Sequence, residues 1–376
     1  MFSFAPSPRV RPTPFFEETV KAGVKGFSVY NHMCMAVSYG NPAEEYWRLI
    51  NGVSLWDVSV ERQVQLKGPD AQRLAQILSC RDLSKHKVGQ GKYVPICNRV
   101  GTLINDPIIL KLADDLLWLS IADSDVKLMA DGIAFAMGLN VEVSEPDVSP
   151  LALQGPKAEG VVARVFGDWV RDLRYFWFKE TEIEGIPVVV QRSGWSKQGG
   201  FEIYLRDSRK ASQLYNIMLE AGRQDDIGPG NPNNAERIES GLVSYGTDTD
   251  EWTNPYEVRL DKYVDLEIDA PVIGLEALRK IHAEGPRRHT LGVMFDGATK
   301  TQVDNASFYQ FVRWIKARKD DQAVGHVTAT AYSPRLEKLI GLALVDRATA
   351  NIGDQIEITA PDGSKAVGEL CDIPFI

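Results

Sequence analysis

The chain has no long hydrophobic run, no paired cysteines and few histidines, and each shortage removes a class of function. No stretch approaches the roughly 20 apolar residues that a membrane-spanning helix needs, and the opening MFSFAPSPRVRPTPFF lacks the apolar segment of a secretory signal. The four cysteines, Cys34, Cys80, Cys97 and Cys371, are far apart and form no C-x-x-C pair. That spacing argues against a structural zinc site or a disulfide framework and for reduced thiols in the cytoplasm. The five histidines, His32, His86, His282, His289 and His326, show no metal-ligand spacing. No G-x-G-x-x-G or P-loop sequence follows a strand-like segment, so a dinucleotide or nucleoside triphosphate fold is not indicated. Positive charge is also scarce: 42 Lys and Arg against 51 Asp and Glu leave a net charge of −9. Such a field repels polyphosphate and disfavours non-specific nucleic-acid binding.

What is present reads as a compact globular protein. At 376 residues, with 44% hydrophobic and 25% charged residues, the chain exceeds the size at which one core stops growing, so two or three domains are expected. The first 16 residues hold four prolines and predict an extended arm packed across another domain. AEEYWRLIN, after Asn41-Pro42, has helical spacing with a cap and first turn in place. VSLWDVS and RQVQLKG read as strands, GPDAQRLAQILSC as a helix, and KYVPICN, TLINDPIILKL and LLWLSIA as hairpin-forming strands. SDVKLMADGIAFAMG is helical in pattern, and VEVSEPDVSPLALQG returns to strand. A second mixed block runs from about Pro156 to His282, with helices at KAEGVVARVFG and RKASQLYNIMLEAG and strands at IPVVVQR and FEIYLR. Beyond AEGPRRH, short strands separated by turns predict a small C-terminal β-barrel. The expected class is therefore α+β: residues 1–284 as two mixed subdomains with boundaries near 50 and 150, and 285–376 as the barrel. FYQFVRWIKARKDDQ breaks this pattern, being basic, aromatic and helical in spacing.

Several segments, in order, resemble the glycine-cleavage T-protein superfamily: RSGWSKQGGFEIY at 192–204, NDP at 105–107 and AERIESGLVSYGTD at 235–248. Within it, YNHM (30–33), WDVSVERQV (56–64), CRDLSK (80–85), SIADSD (120–125) and the terminal CDIPFI resemble the branch that demethylates dimethylsulfoniopropionate. The resemblance covers nearly the whole chain and is weakest from about Phe295 to Arg335. It implies a T-protein-like fold, tetrahydrofolate as the methyl acceptor, and a small sulfonium substrate. Asn105-Asp106 stands where glycine-cleavage relatives carry a paired acid, which puts aminomethyl transfer from a lipoyl arm in doubt.

The resemblance also assigns residues. Glu202 is expected to accept the amino group and ring N–H of the pterin, a bidentate task suited to a carboxylate. Tyr93, Ser120, Arg192 and Arg237 join it in the folate site, the two arginines as partners for the glutamate tail. Asp106 is the catalytic candidate, orienting folate or assisting the proton that N5 must lose. A sulfonium is cationic yet donates no hydrogen bond, so aromatic faces must recognise it. Trp195 and Tyr204 are the leading cage candidates, with Tyr30 and Phe27 behind them and Lys197 as a partner for the substrate carboxylate. For Glu202, Asp106 and Lys197 the ordinary alternatives are an edge-strand carboxylate, a turn cap and a solvated lysine. His32 fits a hydrogen-bonded structural role as readily as a pocket. No metal is required, and no heptad or apolar stripe selects an oligomer, leaving a homodimer open. Two other readings share the fold: a folate-dependent demethylase of N-methyl amines or aromatic methyl ethers, and a folate-binding relative without catalysis.

Overall fold

The computed structural model describes residues 7–296, 314–359, 363 and 365–376. The chain divides into two compact units, each assembled from separate stretches: 1–76, 83–93 and 107–233 form the first, and 77–82, 94–106 and 234–376 the second. This differs from the expected division at residue 284. The positions near 50 and 150 both fall inside elements of the first unit, because the strand Ser149–Gln154 pairs with Ser54–Asp57 in one sheet.

Two sheets build the first unit. One has six strands in the order Phe178–Ile183, Ile186–Gln191, Gly200–Leu205, Ser149–Gln154, Ser54–Asp57 and Gly228–Gly230, antiparallel except for the last pair. The other has five, in the order Glu142–Ser144, Gln63–Lys67, Leu116–Ser120, Ile108–Ala113 and Gly91–Tyr93. The alternation of strand side chains decides what each face does. From Gly200–Leu205, Phe201, Ile203 and Leu205 enter a core with Val161 and Val162 of the helix Ala158–Phe166 and Leu214 and Met218 of the helix Ala211–Gly222. Tyr204 points the other way and packs with Val189 against Leu110 and Trp118 of the second sheet. Each large apolar side chain so buried stabilises the unit by about 2 to 3 kcal/mol. The layer between the sheets is apolar around Trp118; Glu202, two positions from Tyr204, and Ser120, two positions from Trp118, add polar groups to the same faces.

Local signals explain several elements. The helix Pro42–Asn51 begins with Asn41 accepting from the Glu44 N–H, places Pro at its first turn and buries Tyr46 and Leu49. The N-terminal arm ends where the helix Phe16–Lys21 begins; Phe15 is fully buried, and Thr13 donates to the buried Asp57.

The second unit contains a closed barrel in the order Arg288–Phe295, Lys338–Asp346, Gln322–Ser333, Ile315–Lys319, Gln355–Thr359 and Lys365–Cys371, around Val293, Phe295, Val327, Val345, Ile356 and Leu370. The helical reading of FYQFVRWIKARKDDQ fails where it can be tested. Ile315–Lys319 is a strand that pairs with Gln322–Ser333, and pairing on both edges overrides local spacing. Residues 308–313 lie outside those described. The unit also brings together two cysteines distant in sequence: the bridge between Ser79 and Ile96 sets Cys80 beside Cys97, and both are fully buried.

Candidate functional site

Glu202 is 3% exposed on the central strand Gly200–Leu205. Its Oε2 accepts from the Ser193 hydroxyl at 2.5 Å and from the Tyr204 hydroxyl at 3.0 Å. Among the described residues no cation lies within ion-pair distance of it. Burial pushes its pKa up, and the two hydroxyls pull the other way. Burial likewise raises the Tyr204 phenol, reinforced by the nearby charges of Glu202 and Glu61.

The facing sheet supplies the next part of the same cluster. Ser120 and Gln63 are opposite one another in register. Gln63 Nε2 donates to Ser120 Oγ at 2.9 Å and to the Glu61 carbonyl at 2.7 Å, and Ser120 donates to Glu61 Oε2 at 3.3 Å. Ser120 is also a hydrogen-bonding neighbour of Tyr204. Gln63 Oε1 is buried with no donor among the described residues. A buried carboxylate held by hydroxyls instead of cations suits a ligand edge rich in N–H groups. That is the chemistry of a pterin.

The turn between Gln191 and Gly200 is pinned from two sides. Gln154 Nε2 donates to the Ser193 carbonyl at 3.1 Å, Ser196 donates to Gln154 Oε1 at 2.8 Å, and the Tyr175 hydroxyl donates to the Gly194 carbonyl at 3.1 Å. Gly194 has φ +146°, and a Cβ there would lie 1.9 Å from Gln154 Nε2, so only glycine fits. Trp195 is carried, half-buried, by this fixed turn, and Lys197 is exposed on it.

Other expected site residues take different places. Tyr204 is fully buried in the inter-sheet core, so its ring is packed against protein instead of facing an open pocket as a cage wall would, and its hydroxyl donates to Glu202. Arg192 pairs with Glu159 at 2.8 Å, donates to the carbonyls of Arg171 and Leu173, and lies over the Phe201 ring. Arg237 has a side chain only 4% exposed, bonded to Asp248 at 2.7 Å, to Asn234 and to the Leu242 carbonyl. It fastens the 242–248 segment within the second unit. Both guanidiniums have acidic partners within their own units, Glu159 for Arg192 and Asp248 for Arg237.

Phe27 and Tyr30 share the hairpin strand Gly26–Tyr30, and alternation puts them on opposite faces. Phe27 is 40% exposed and stacks on Phe16 with centroids 5.0 Å apart. Tyr30 is half-buried at the strand end, and Tyr93 is half-buried on the edge strand Gly91–Tyr93. Asp106 is half-buried in the second unit just after the strand Leu103–Asn105, its N–H donating to the Asn105 side chain at 3.0 Å.

The sequence reading missed Gln63 and Gln191. Gln191 had a signal, an uncharged polar residue at the end of an otherwise apolar strand, whereas the same face of the Gln63 strand carries Gln65 and Lys67 and gave none. Among the described residues no cluster of three His, Cys, Asp or Glu could hold a metal, and no described helix is long and apolar enough to cross a membrane.

Comparison with known proteins agrees with this chemistry. The chain is 41% identical over 367 residues, 98% of both chains, to a protein named dimethylsulfoniopropionate demethylase DmdA from Ruegeria pomeroyi. It is 30% identical over 356 residues, 93% of both chains, to an aminomethyltransferase from Thermoanaerobacter sp.. Its fold matches the glycine cleavage system aminomethyltransferase T of Bartonella henselae with a TM-score of 0.84 over 97% of this chain and 98% of that one, at 23% identity. Residues 15–268 match the GCVT N-terminal domain and residues 309–376 the glycine cleavage T-protein C-terminal barrel domain, so the chain belongs to the glycine cleavage T-protein family.

Proposed function

We propose that this chain is a tetrahydrofolate-dependent demethylase that moves a methyl group from dimethylsulfoniopropionate to N5 of tetrahydrofolate, giving 3-methylthiopropanoate and 5-methyltetrahydrofolate. The observation that carries the reading is the 41% identity, over 98% of both chains, to the demethylase of Ruegeria pomeroyi. The Glu202 cluster supports it independently, because it offers a buried acceptor edge of the kind a pterin needs.

In the transfer the N5 lone pair forms the new bond to the methyl carbon, the carbon–sulfur bond breaks with its electrons going to sulfur, and N5 then loses its proton. The leaving group is a neutral thioether and needs no protonation, so the protein's work is positioning and exclusion of water. Glu202 holds the pterin edge, oriented by Ser193 and Tyr204. Trp195 offers an aromatic face to the sulfonium. Lys197 is on the same turn and is the cation we assign to the substrate carboxylate. Asp106 orients folate and stands ready for the N5 proton. Tyr93 and Ser120 complete the folate side, with Tyr30 and Phe27 at the donor side contributing one face each. Four free cysteines support a cytoplasmic setting.

The test is a methyl-transfer assay with purified protein, tetrahydrofolate and dimethylsulfoniopropionate, following both products together. Matched formation of 5-methyltetrahydrofolate and 3-methylthiopropanoate is expected. Folded, folate-binding protein that forms neither product would remove the sulfonium donor and direct the search to N-methyl amines and aryl methyl ethers.

A further inference from the structure

The polar cluster around Glu202 has a shortage of protons that its geometry makes countable. Ser193 Oγ lies 2.5 Å from Glu202 Oε2 and 3.2 Å from Gln191 Oε1, while the Tyr204 hydroxyl lies 3.0 Å from each. These are four oxygen–oxygen contacts served by two hydroxyl protons. The amide of Gln191 cannot turn to relieve the shortage. Its Nε2 donates to the Phe176 carbonyl at 3.2 Å, and a carbonyl only accepts, so Oε1 must face the hydroxyls. Gln191 is fully buried, and a Cβ on Gly91 would lie 2.3 Å from its Nε2, so the side chain is held tightly in place.

Two states follow. With Glu202 ionised, carboxylate and Gln191 Oε1 compete for the same two protons, and each proton the charged group takes is lost to a buried amide oxygen, which is costly. With a proton on Glu202, that proton bonds one hydroxyl, which is then free to donate to Gln191, and every close contact but one is served. A ligand that brings its own N–H groups to Glu202 has the same effect as the proton. The carboxylate then gains donors from the ligand, and the two hydroxyls can share their protons between Glu202 and Gln191.

Resting on the folate reading above, we propose that Gln191 is a positioning residue of the folate site: its carbonyl competes with Glu202 for the Ser193 and Tyr204 protons, so the unliganded site holds a proton on Glu202 and releases it to solvent when the pterin N–H groups bind. Among the described residues, the other titratable groups shown to interact with the cluster are Tyr204 itself and Glu61, which reaches it through Ser120. Both are acids. Arg192, next in sequence, is turned to Glu159 and to Phe201 of the helix-facing side. The upward push that burial gives Glu202 acts in the same direction as the competition.

The decisive experiment follows the neutral carboxyl stretch of Glu202 by infrared difference spectroscopy against pH in the unliganded full chain, with Glu202→Gln as the reference for the band. The wild-type midpoint is expected above the ordinary glutamate value of about 4.3. Gln191→Met, which removes the competitor at similar volume, lowers that midpoint by about one pH unit. Ser193→Ala, which removes a donor, raises it. A general loosening of the fold would not move the two variants in opposite directions. A wild-type midpoint in the ordinary range, or a Gln191→Met midpoint unchanged or raised, overturns the proposal. Calorimetry of folate binding in buffers of different ionisation enthalpy gives the second arm, with release approaching one proton per folate below the midpoint and less in Gln191→Met. Protein that binds no folate refutes the folate reading, while the infrared midpoints still decide the role of Gln191.

Discussion

Tyr204→Phe separates a residue that positions Glu202 from one that cages the methyl donor. The substitution deletes one oxygen and leaves the ring in its apolar cluster with Trp118, Leu110 and Val189. The lost hydroxyl sits 3.0 Å from Glu202 Oε2 and is one of two hydroxyl donors to that carboxylate, Ser193 being the other. Hydrogen bonds to charged groups contribute about 1.5 to 3 kcal/mol, and the remaining donor and the ligand's own N–H groups recover part of that. A net loss of about 1.4 kcal/mol in folate binding is expected, a tenfold weaker Kd. Stability should fall by about 1 kcal/mol, because the packing volume is kept. Binding is read by calorimetry with tetrahydrofolate, and donor recognition by the KM for dimethylsulfoniopropionate at saturating folate. A cage role predicts the reverse for Tyr204→Ala and almost no folate effect for Tyr204→Phe, since a phenyl ring still presents a π face. Unchanged folate affinity in Tyr204→Phe would therefore refute the positioning argument.

Three further perturbations follow from the geometry. Glu202→Ala should weaken folate binding by roughly 100-fold, on the order of 3 kcal/mol for a bidentate carboxylate, while Trp195→Ala should chiefly raise the donor KM; equal folate losses in the two would sink this division of labour. Gly194→Ala forces a Cβ to 1.9 Å from Gln154 at φ +146°, so the turn carrying Trp195 must shift. Activity should drop by about 100-fold or more with far-ultraviolet circular dichroism unchanged, and near-native activity would show that the turn is not rigid. In the second unit burial alone would raise the Asp250 pKa, but the Arg288 and Thr253 bonds overcome it and hold the carboxyl at about 2. Its folded value is below the unfolded one, so its stabilisation is present above about pH 4 and lost as pH falls through about 2. The pair is partly solvent-exposed, which limits the effect to on the order of 1 kcal/mol. Asp250→Asn should flatten that part of an acid-unfolding curve followed by fluorescence, and an unchanged slope would count against the pair.

Legibility of the sequence varied with the range of the interactions. Helix Pro42–Asn51 was readable because its cap, first-turn proline and buried stripe are all local. The barrel strands were readable because short apolar alternations between turns carry their own period. Ile315–Lys319 was not, since its aromatic and basic neighbours imitate a helix and only pairing to strands on both sides settles it. The two-unit division was also hidden: its segments are interleaved along the chain, and nothing in composition marks the crossings.

The sequence by itself determined the family and the chemistry expected of Glu202, because each rests on residue type at a short spacing. Tertiary structure alone decided what each side chain is free to do. Strand alternation turned Tyr204 into the inter-sheet core and split Phe27 from Tyr30 across two faces of one strand. Ion pairing inside each unit gave Arg192 and Arg237 their acidic partners, Glu159 and Asp248. The approach of a second sheet set Ser120, itself bonded to Gln63, beside Tyr204, and the Phe176 carbonyl fixed the amide of Gln191 so that its oxygen faces the same two hydroxyls as Glu202. The physical reason is common to all of them: a polar group's role depends on which partners remain after burial has removed water, and those partners come from strands distant in sequence.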